Sequence, residues 1–466
     1  MTTVPWHRLL ASTRPPLRLL RRADSPAPMA PVPGGGFRRG FAALRHPNYR
    51  YYWFGQLISL AGTWMQSVSQ PWLVLLLGGS PLQLGLVIAL QYTPAMIFAP
   101  LSGVLADRVD KRRTLIATQA TAMIQAVVLF TLTVTGVVEI WHILVLATLL
   151  GLVNAVEMPV RQAFAAELVP PEDLMNAIAL NSASFNAARV VGPAIAGVTL
   201  ALWGPALNFG LNAVSYLAVL IGLAMMHGGA LRRMVQPERQ ASVRSSLMEG
   251  LRYARSTPLV LWPLVLLAGM ATFGMNFQTL LPLFARNTLG MGADGYGALF
   301  AVMGVGSLIG SLSLAYAGSQ RPLLRLILGG AAVFVAFEAL FSLSRAPILV
   351  FGFAAVVGLA SMLMVNTINV TIQNNVPNEL RGRVMSLYVT VFAGSAPIGG
   401  FFAGAVAEIW GAATGFLLGA GLSSAFIVLV GWQLARTRAR ADGAALRRTV
   451  PLGAAAAPDS ERASSA

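Results

Sequence analysis

Four charged side chains stand inside or beside long apolar stretches of this sequence. They are Glu157, Arg161, Arg189 and Glu338. A charge is costly in hydrocarbon, so residues of this kind usually face a water-filled cavity or a partner of opposite charge. A carboxyl group in that position can take up and release a proton, and a guanidinium can attract an anion. Glu338 stands alone in its stretch, and the sequence suggests no role for it.

Glu157 and Arg161 are one helical turn apart and therefore share a helix face. Glu157 either forms an ion pair, with Arg161 or with the basic cluster from Arg108 to Arg113, or carries a proton. An ion pair would make it a latch near the end of its helix. Arg189 either lines a cavity, where it attracts an anionic ligand, or pairs with carbonyl groups at a helix end.

Neutral polar and aromatic residues could complete a ligand cavity beside these charges. Gln66 and Gln70 lie in the first apolar stretch, which has no carboxylate, and Asn366 and Asn369 lie in the tenth. We take these four as candidates for the cavity wall. Three aromatic residues could stack on a ligand, although aromatics near helix ends often serve as interfacial anchors: Trp64, Trp72 and Phe273.

Several kinds of chemistry are excluded by the residues that are missing. The chain has no cysteine, which excludes disulfides, thiolate metal sites and cysteine nucleophiles. It has no GxxxxGK[ST] loop, which argues against a self-contained ATP-driven pump. We find no zinc motif and no credible nucleophilic triad. We therefore predict that the chain is not an enzyme and holds no cofactor or metal.

The composition predicts that most of the chain lies in lipid. Of its 466 residues, 56% are hydrophobic and only 11% are charged, whereas a soluble domain needs about a quarter charged. The net charge of +16 could suggest nucleic-acid binding. However, the basic residues fall in the tails and in short gaps between apolar stretches, as membrane topology requires. We expect a lipid bilayer as partner and no nucleic acid.

Apolar stretches of about twenty residues, the length that crosses the hydrocarbon core, recur about twelve times. We predict an all-α integral membrane protein in which the helices satisfy their own backbone amides. The predicted spans are 53–77, 84–106, 115–136, 141–160, 176–202, 206–226, 260–285, 295–317, 323–343, 347–369, 383–407 and 413–434.

The longest internal connection divides these spans into two groups. We predict a disordered basic cytoplasmic tail at 1–48, an N-terminal group of helices at 49–227, and a cytoplasmic interdomain loop at 228–258. A C-terminal group of helices follows at 259–435, and a disordered cytoplasmic tail at 436–466.

Arginine placement predicts the orientation, because cytoplasmic loops are enriched in Lys and Arg. With the N-terminal tail inside, only Arg286 and Arg345 fall in outside loops. An even number of spans returns the C-terminal tail to the same side, so both termini are predicted to be cytoplasmic. Within the interdomain loop, the stretch from Ser245 to Tyr253 could form a short amphipathic helix on the membrane surface.

The two groups of helices repeat each other at an offset of 207 residues. One unbroken offset through two helices and their loops is more than a chance match between apolar segments. Two such halves place a substrate site between them near mid-membrane, where rocking alternates its access. The alternative is a duplicated scaffold without transport. The matched segments are Val169 to Glu172 with Val376 to Glu379, Gly192 and Gly197 with Gly399 and Gly404, and Leu202 to Gly204 with Ile409 to Gly411.

One loop carries a sharp family signature. It resembles the hallmark loop between helices two and three of the major facilitator superfamily, G-x-L-a-D-r-x-G-r-r, with Asp110 in place of the second glycine. The resemblance implies twelve helices in two pseudo-symmetric six-helix bundles, and a gating role for this loop. Asp107 can accept from backbone amides at a helix N-terminus. The matched residues are Gly103, Leu105, Asp107, Arg108, Lys111, Arg112 and Arg113.

The fifth stretch resembles the antiporter motif of the same superfamily, g-x-x-x-G-P-x-x-G-G. Gly192, Pro193 and Gly197 match it, while Ala188 and Ala196 replace glycines. Small residues at this spacing let helices pack closely, and proline bends the helix. The motif therefore predicts at least a packing element.

A narrower resemblance covers nearly all of residues 41–435. The segments at 44–50, 59–65, 176–182 and 185–197 are similar to the enterobactin-exporter-like branch, also called transmembrane secretion effectors. This resemblance implies proton-driven export of siderophores, macrolides or other small amphiphiles across a bacterial inner membrane. We expect a monomer that uses a small-molecule substrate and the proton gradient. An uptake permease, a lysophospholipid flippase and a non-transporting scaffold remain as alternatives.

Overall fold

A computed structural model describes residues 37–226, 243–317 and 323–449 of the chain. The side chains of 99–108 are outside this description, although their backbone is helical. By its contacts the chain divides into Met1–Ala42 and Ala43–Ala466, and the helices considered below all lie in the second unit. Within the described residues every regular element is a helix. This confirms the prediction of an all-α membrane fold.

Six long helices form the N-terminal half, and each has between 20 and 30 residues. Three of them begin with proline, whose fixed φ and missing N–H suit the first turn of a helix. A helix of twenty residues spans about 30 Å, the thickness of the hydrocarbon core. The helices are α1 Pro47–Leu76, α2 Pro81–Arg108, α3 Lys111–Val134, α4 Ile140–Glu167, α5 Leu174–Trp203 and α6 Pro205–Ala224.

The C-terminal half follows a short connecting helix, α7. This helix covers the stretch predicted to be amphipathic, from Ser245 to Tyr253, and extends it at both ends. The last helix runs on to Thr449, beyond position 435, where the sequence placed the end of the bundle. The helices are α7 Val243–Ser256, α8 Pro258–Gly269, α9 Phe277–Leu283, α10 Ala293–Ala317, α11 Leu323–Leu343, α12 Pro347–Asn374 and α13 Asn378–Thr449.

The seventh span is interrupted, although the sequence predicted one continuous helix at 260–285. It consists of α8, a π-helical turn at Met270–Gly274, a non-helical step at Met275 and Asn276, α9, and a second π-helical turn at Phe284–Thr288. The side-chain amide of Asn276 donates to the carbonyl oxygens of Thr272 and Phe273 at 2.8 and 3.1 Å. It thereby supplies donors that the broken backbone ladder lacks.

The internal repeat is visible in the backbone. Gly204 separates α5 from α6 with φ of +76°, and Gly411 bends α13 with φ of +82°. These two glycines are 207 residues apart, and their conformation is one that residues with a side chain rarely adopt. The repeated Trp-Gly element therefore makes the same turn in both halves.

By length and composition, ten helical ranges among the described residues could cross a membrane, not twelve. Glu379–Thr437 counts as one range of 59 residues although it contains the bend at Gly411. The other difference is α1, which is 30 residues long but is not among the ten ranges. Its buried glutamines, at 56, 66 and 70, make it less apolar than its neighbours.

The largest contacts between the halves are made by two pairs of helices. Within the N-terminal half, α1 packs on α5 and α6, and α2 packs on α4. Within the C-terminal half, α12 packs on α10 and α11. Between the halves, α2 packs on α13 and α5 packs on α10. Below, the proximal end is the end of the helix bundle at which α1 begins, and the distal end is the end at which α1 finishes.

Candidate transport site between the two halves

Two hydrogen bonds join the halves at the distal end. The guanidinium of Arg286 donates to the carbonyl oxygen of Leu75, in the last turn of α1, at 2.7 Å. The carboxylate of Glu408 accepts from the backbone N–H of Leu82, in the first turn of α2, at 3.0 Å. Both bonds satisfy groups that a helix end leaves without an internal partner, and each charge has the sign that its helix terminus favours.

Close packing reinforces the distal contact. Trp72 of α1 stacks on Tyr296 of α10, with ring centroids 5.4 Å apart. A Cβ added to Gly197 of α5 would lie 2.8 Å from Cα of Gly297 on α10, so the two backbones touch. On the other side of the interface, Gly85 of α2 lies against the backbone of α13. The distal end is therefore closed by direct backbone contact.

The small residues of the predicted antiporter-like motif, in α5, contact two neighbouring helices. A Cβ added to Gly192 would lie 2.6 Å from Cβ of Trp64 and 2.9 Å from the carbonyl oxygen of Ala61, both on α1. Gly197, one and a half turns later, meets α10, as does the carbonyl oxygen of Pro193. The motif thus packs α5 against its own half and against the other half.

At the proximal end, the basic loop connects helices of the N-terminal half. Lys111 forms an ion pair with Glu167 of α4 at 2.7 Å. Arg112 donates to the carbonyl oxygens of Leu223 and Ala224, at the end of α6, at 2.9 and 3.1 Å. Arg113 is exposed. The predicted candidates Gly103, Asp107 and Arg108 lie in the last turns of α2, and their side chains are outside the described part of the chain.

Asp110 has a role that the family motif did not predict. It is the N-cap of α3, and its carboxylate accepts from the backbone N–H of Arg113 at 3.0 Å. In the sequence, Asp110 stood out only as a departure from the glycine of the motif. An Asp directly before the first residue of a helix is, however, a recognised N-cap signal.

The C-terminal half has its own proximal connections. Arg383 near the start of α13 forms an ion pair with Glu249 of α7. Tyr253 of α7 donates its hydroxyl to the carbonyl oxygen of Asn375, at the end of α12, at 2.7 Å. Among the described residues, the ion pairs and hydrogen bonds found at the proximal end connect helices of the same half.

Gln66 lies in a buried network within the N-terminal half. It is 2% exposed and donates to Gln125 of α3 at 3.2 Å. Its own oxygen accepts from Asn212 of α6 at 2.7 Å. These hydrogen bonds between side-chain amides connect α1, α3 and α6, and they engage both the oxygen and the nitrogen of Gln66. Gln70, the second candidate on α1, is 3% exposed.

Glu157 is buried beside Arg161, the first of its two predicted partners. The carboxylate and guanidinium are 3.5 Å apart, and the side chains are 8% and 25% exposed. Gln119 of α3 adds a side-chain hydrogen bond to the carboxylate. The alternative partners Lys111 and Arg112 are engaged elsewhere, as described above. Both partners lie on α4, and Gln119 connects the pair to α3 near the proximal end.

Arg189 lies where α1, α5 and α10 meet. Its guanidinium carbon is 6.0 Å from the ring centre of Trp64, within reach of a cation–π interaction. Its carbonyl oxygen would lie 2.9 Å from a Cβ added to Gly304 of α10, which places it at the interface between the halves. Arg189 is half-buried, and Phe185 packs edge-on against Trp64 with centroids 5.8 Å apart.

The other two predicted aromatic candidates have partners inside the protein. Trp72 stacks on Tyr296, as described above, and Phe273 packs edge-on against Phe402 with centroids 5.2 Å apart. Of the three predicted aromatic candidates, Trp64 is therefore the one that lies beside a cationic side chain, Arg189, among the described contacts.

Asn366 and Asn369, the two predicted candidates on α12, are half-buried. Asn366 donates to the hydroxyl of Ser311 on α10 at 3.1 Å. Asn369 accepts from Gln373 at 2.6 Å and bonds to Tyr388 of α13. Both candidates thus lie on the side of α12 that meets neighbouring helices of the C-terminal half.

Comparison with solved structures identifies the fold. The crystal structure of the nucleoside transporter NupG superposes with a TM-score of 0.63 at 13% identity, covering 83% of this chain and 99% of that chain. A bacterial homologue of the lysosomal transporter Spinster, in an inward-facing and unoccupied conformation, gives 0.62 at 15% identity, over 85% and 95%. The molecule therefore has the major facilitator fold.

The family follows from the sequence match. The chain belongs to the transmembrane secretion effector family, whose model matches residues 38–456. It is 26% identical to the staphyloferrin A transporter of Staphylococcus aureus, over 82% of this chain and 94% of the relative. It is 28% identical to the enterobactin exporter EntS of Escherichia coli O1:K1, over 74% of this chain and 81% of the relative. The family resemblance seen in the sequence is confirmed, and the chain is a multi-pass membrane transporter and not an enzyme.

Proposed function

We propose that this protein exports a small amphiphilic organic anion across the bacterial inner membrane, driven by the proton gradient, with both termini in the cytoplasm. It acts as a monomer, since one chain supplies both halves of the interface. The observation that carries the proposal is the asymmetry between the two ends. The halves are joined by hydrogen bonds and backbone contact at the distal end, whereas the proximal ion pairs of the described residues stay within each half.

This asymmetry is what an alternating-access transporter needs in its inward-facing state. The proximal end carries the basic loop, and arginine-rich loops favour the cytoplasmic side. Closing the outside while the halves stay separate inside would admit substrate from the cytoplasm or the inner leaflet. The ligand and the proton can then shift the balance between states only through different affinities for each.

Arg189 and Trp64 support an anionic, amphiphilic cargo. A half-buried guanidinium that the described ion pairs leave without an acid can bind a carboxylate or a catecholate oxygen. The adjacent indole ring offers a face for the apolar part of the same molecule. Two relatives carry the names of siderophores, which favours this class, and the exporter among them favours outward transport.

The ion pair of Glu157 and Arg161 lies within α4, and the hydrogen bond from Gln119 of α3 to its carboxylate supports a role in holding α3 and α4 together. Breaking a buried pair by removing one partner leaves an uncompensated charge, which costs about 3–5 kcal/mol. The ion pair is therefore costly to break. It also makes Glu157 a poorer proton carrier, since a proton would have to displace Arg161.

Transport in membrane vesicles tests the proposal. Inside-out and right-side-out vesicles with the protein are supplied with enterobactin, staphyloferrin A or erythromycin under an imposed pH gradient. We expect at least one of the two siderophores to accumulate in inside-out vesicles with an acidic interior, and to be released by a protonophore. Accumulation in right-side-out vesicles instead would mean uptake. No movement of any probe in either orientation would contradict the proposed cargo classes.

A further inference from the structure

A buried polar cluster in the C-terminal half has unmet hydrogen-bonding capacity. It consists of Glu338 and Ser342, one turn apart on α11, and Ser423 on the second arm of α13. These residues are at most 1% exposed. Among the described residues, neither carboxylate oxygen and neither hydroxyl has a hydrogen-bond partner. An unpartnered carboxylate in apolar surroundings costs several kcal/mol, so a purely structural role does not explain this acid.

The cluster adjoins the break in the seventh span. A Cβ added to Gly274, the last residue of the first π-helical turn, would lie 2.9 Å from Oγ of Ser423 and 3.4 Å from Oε2 of Glu338. The absence of a side chain at Gly274 therefore leaves both oxygens facing the same small space. The ring of Phe334 borders that space at 3.0 Å, so the remaining wall is apolar.

No described charge compensates Glu338 from the elements packed on α11, which are α12, α13 and the first π-helical turn. Neither α12 nor that turn contains an ionisable residue. Along α13, the ionisable residues nearest to Ser423 are Glu408, which bonds to α2, and Arg436. On α11 itself the other ionisable residue is Arg325, which is exposed.

We propose that Glu338 is the proton-binding site of the C-terminal half and that proton occupancy controls the break in the seventh span. This inference rests on the proton coupling proposed above. Binding forms an O–H bond on one carboxylate oxygen, removes the unpartnered charge, and creates a donor for the hydroxyl of Ser423 or Ser342. Release of that proton to water restores the carboxylate. A metal ion fits less well, because even calcium prefers about six to eight oxygens, more than the cluster's side chains supply.

A continuous set of contacts connects the cluster to the distal interface between the halves. Asn276 follows Gly274 by two residues and holds the break open through its amide. Its Oδ1 would lie 2.5 Å from a Cβ added to Gly399, on the first arm of α13. The next residue, Gly400, contacts Gly85 of α2 in the other half. A rearrangement at the break therefore reaches the α2–α13 contact through adjacent groups.

Infrared difference spectroscopy on the full-length protein in lipid tests the site with protons alone as probe. A pH titration of wild type should show the carbonyl stretch of a buried protonated carboxyl group. We expect this band to disappear in Glu338→Gln, to shift in frequency in Ser423→Ala, and to persist in Glu379→Gln, which alters an exposed acid of the same half. Persistence of the unaltered band in Glu338→Gln would overturn the proposal. Its loss only in Glu157→Gln would also overturn it.

Transport in proteoliposomes separates this inference from the proposed function. In Glu338→Gln, exchange of labelled for unlabelled enterobactin across the membrane should continue, while accumulation driven by a pH gradient falls to the level of empty liposomes. Normal pH-driven accumulation in this variant would overturn the coupling role of Glu338. If wild type itself ignores the pH gradient, proton-driven export is wrong, whereas the infrared band still decides whether Glu338 binds a proton.

Discussion

The contact between Gly197 and Gly297 offers a direct test of distal closure. In Gly197→Ala the added Cβ would lie 2.8 Å from Cα of Gly297, whereas carbon atoms in favourable contact are about 3.5–4.0 Å apart. Backbone lies on both sides, so neither partner can move away by rotating a side chain. Overpacking of this kind costs about 1–3 kcal/mol. The cost applies only while α5 and α10 touch, so the ratio of closed to open distal ends should fall by roughly 5- to 150-fold.

Distance measurements between spin labels can follow this ratio. The natural chain has no cysteine, so introduced cysteines are the only attachment points. Leu77→Cys and Asn287→Cys place exposed labels on the distal ends of the first and seventh spans. In wild type, we expect one short distance, since Arg286 reaches the end of α1. In Gly197→Ala, a longer distance should gain population at its expense.

Gly329→Ala is the matched control for this experiment. It makes the same change in a helix of the C-terminal half, but nothing lies within 4 Å of the added Cβ. The control should keep the wild-type distance distribution. An unchanged distribution in Gly197→Ala, in a variant that inserts and folds normally, would refute the idea that this backbone contact holds the distal end closed.

Three further substitutions test the remaining parts of the site. Arg189→Gln should reduce vesicle transport of anionic siderophores by roughly tenfold or more, because a hydrogen bond to a charged group contributes about 1.5–3 kcal/mol. Transport of erythromycin should change less, and an equal loss for both would contradict a charge-based role. Gln66→Leu removes the partner of the Gln125 side-chain oxygen and of the Asn212 side-chain nitrogen, both buried. It should destabilise the protein by about 1–3 kcal/mol, seen as a lower Tm in detergent, whereas the exposed Gln162→Leu should not. Asp107→Ala should abolish transport without reducing membrane insertion, and full transport by this variant would reject the gating role expected from the family motif.

Patterns along the chain were enough to predict the class of protein. Lipid requires apolar stretches of a fixed length, and helices satisfy their own backbone groups. Both features therefore depend on residues that are close together in the sequence. The same holds for the repeat: the Trp-Gly elements that end at Gly204 and Gly411 both fold with a positive φ. The signature from Gly103 to Arg113 likewise predicted the superfamily, because it is a contiguous run of residues.

Partner choice within the site could not be predicted in this way. Gln66 bonds to Asn212, 146 residues later in the chain, and Arg286 bonds to Leu75, 211 residues earlier. Spacing identifies neighbours on one helix, as it did for Glu157 and Arg161, but it carries no information about which helices pack together. For this reason Gln66 was expected to face a cavity, whereas it lies in a buried network.

Patterns along the chain were thus enough to predict an all-helical membrane fold, its internal duplication and its family, because each depends on local hydrophobicity, periodicity or a contiguous motif. Two features became visible only in the folded molecule. The seventh span is broken beside an acid that has no hydrogen-bond partner among the described residues, and the halves touch at the distal end. Both features depend on packing between helices that are remote in sequence. Such packing determines at the same time which backbones approach closely and which buried polar groups find a partner.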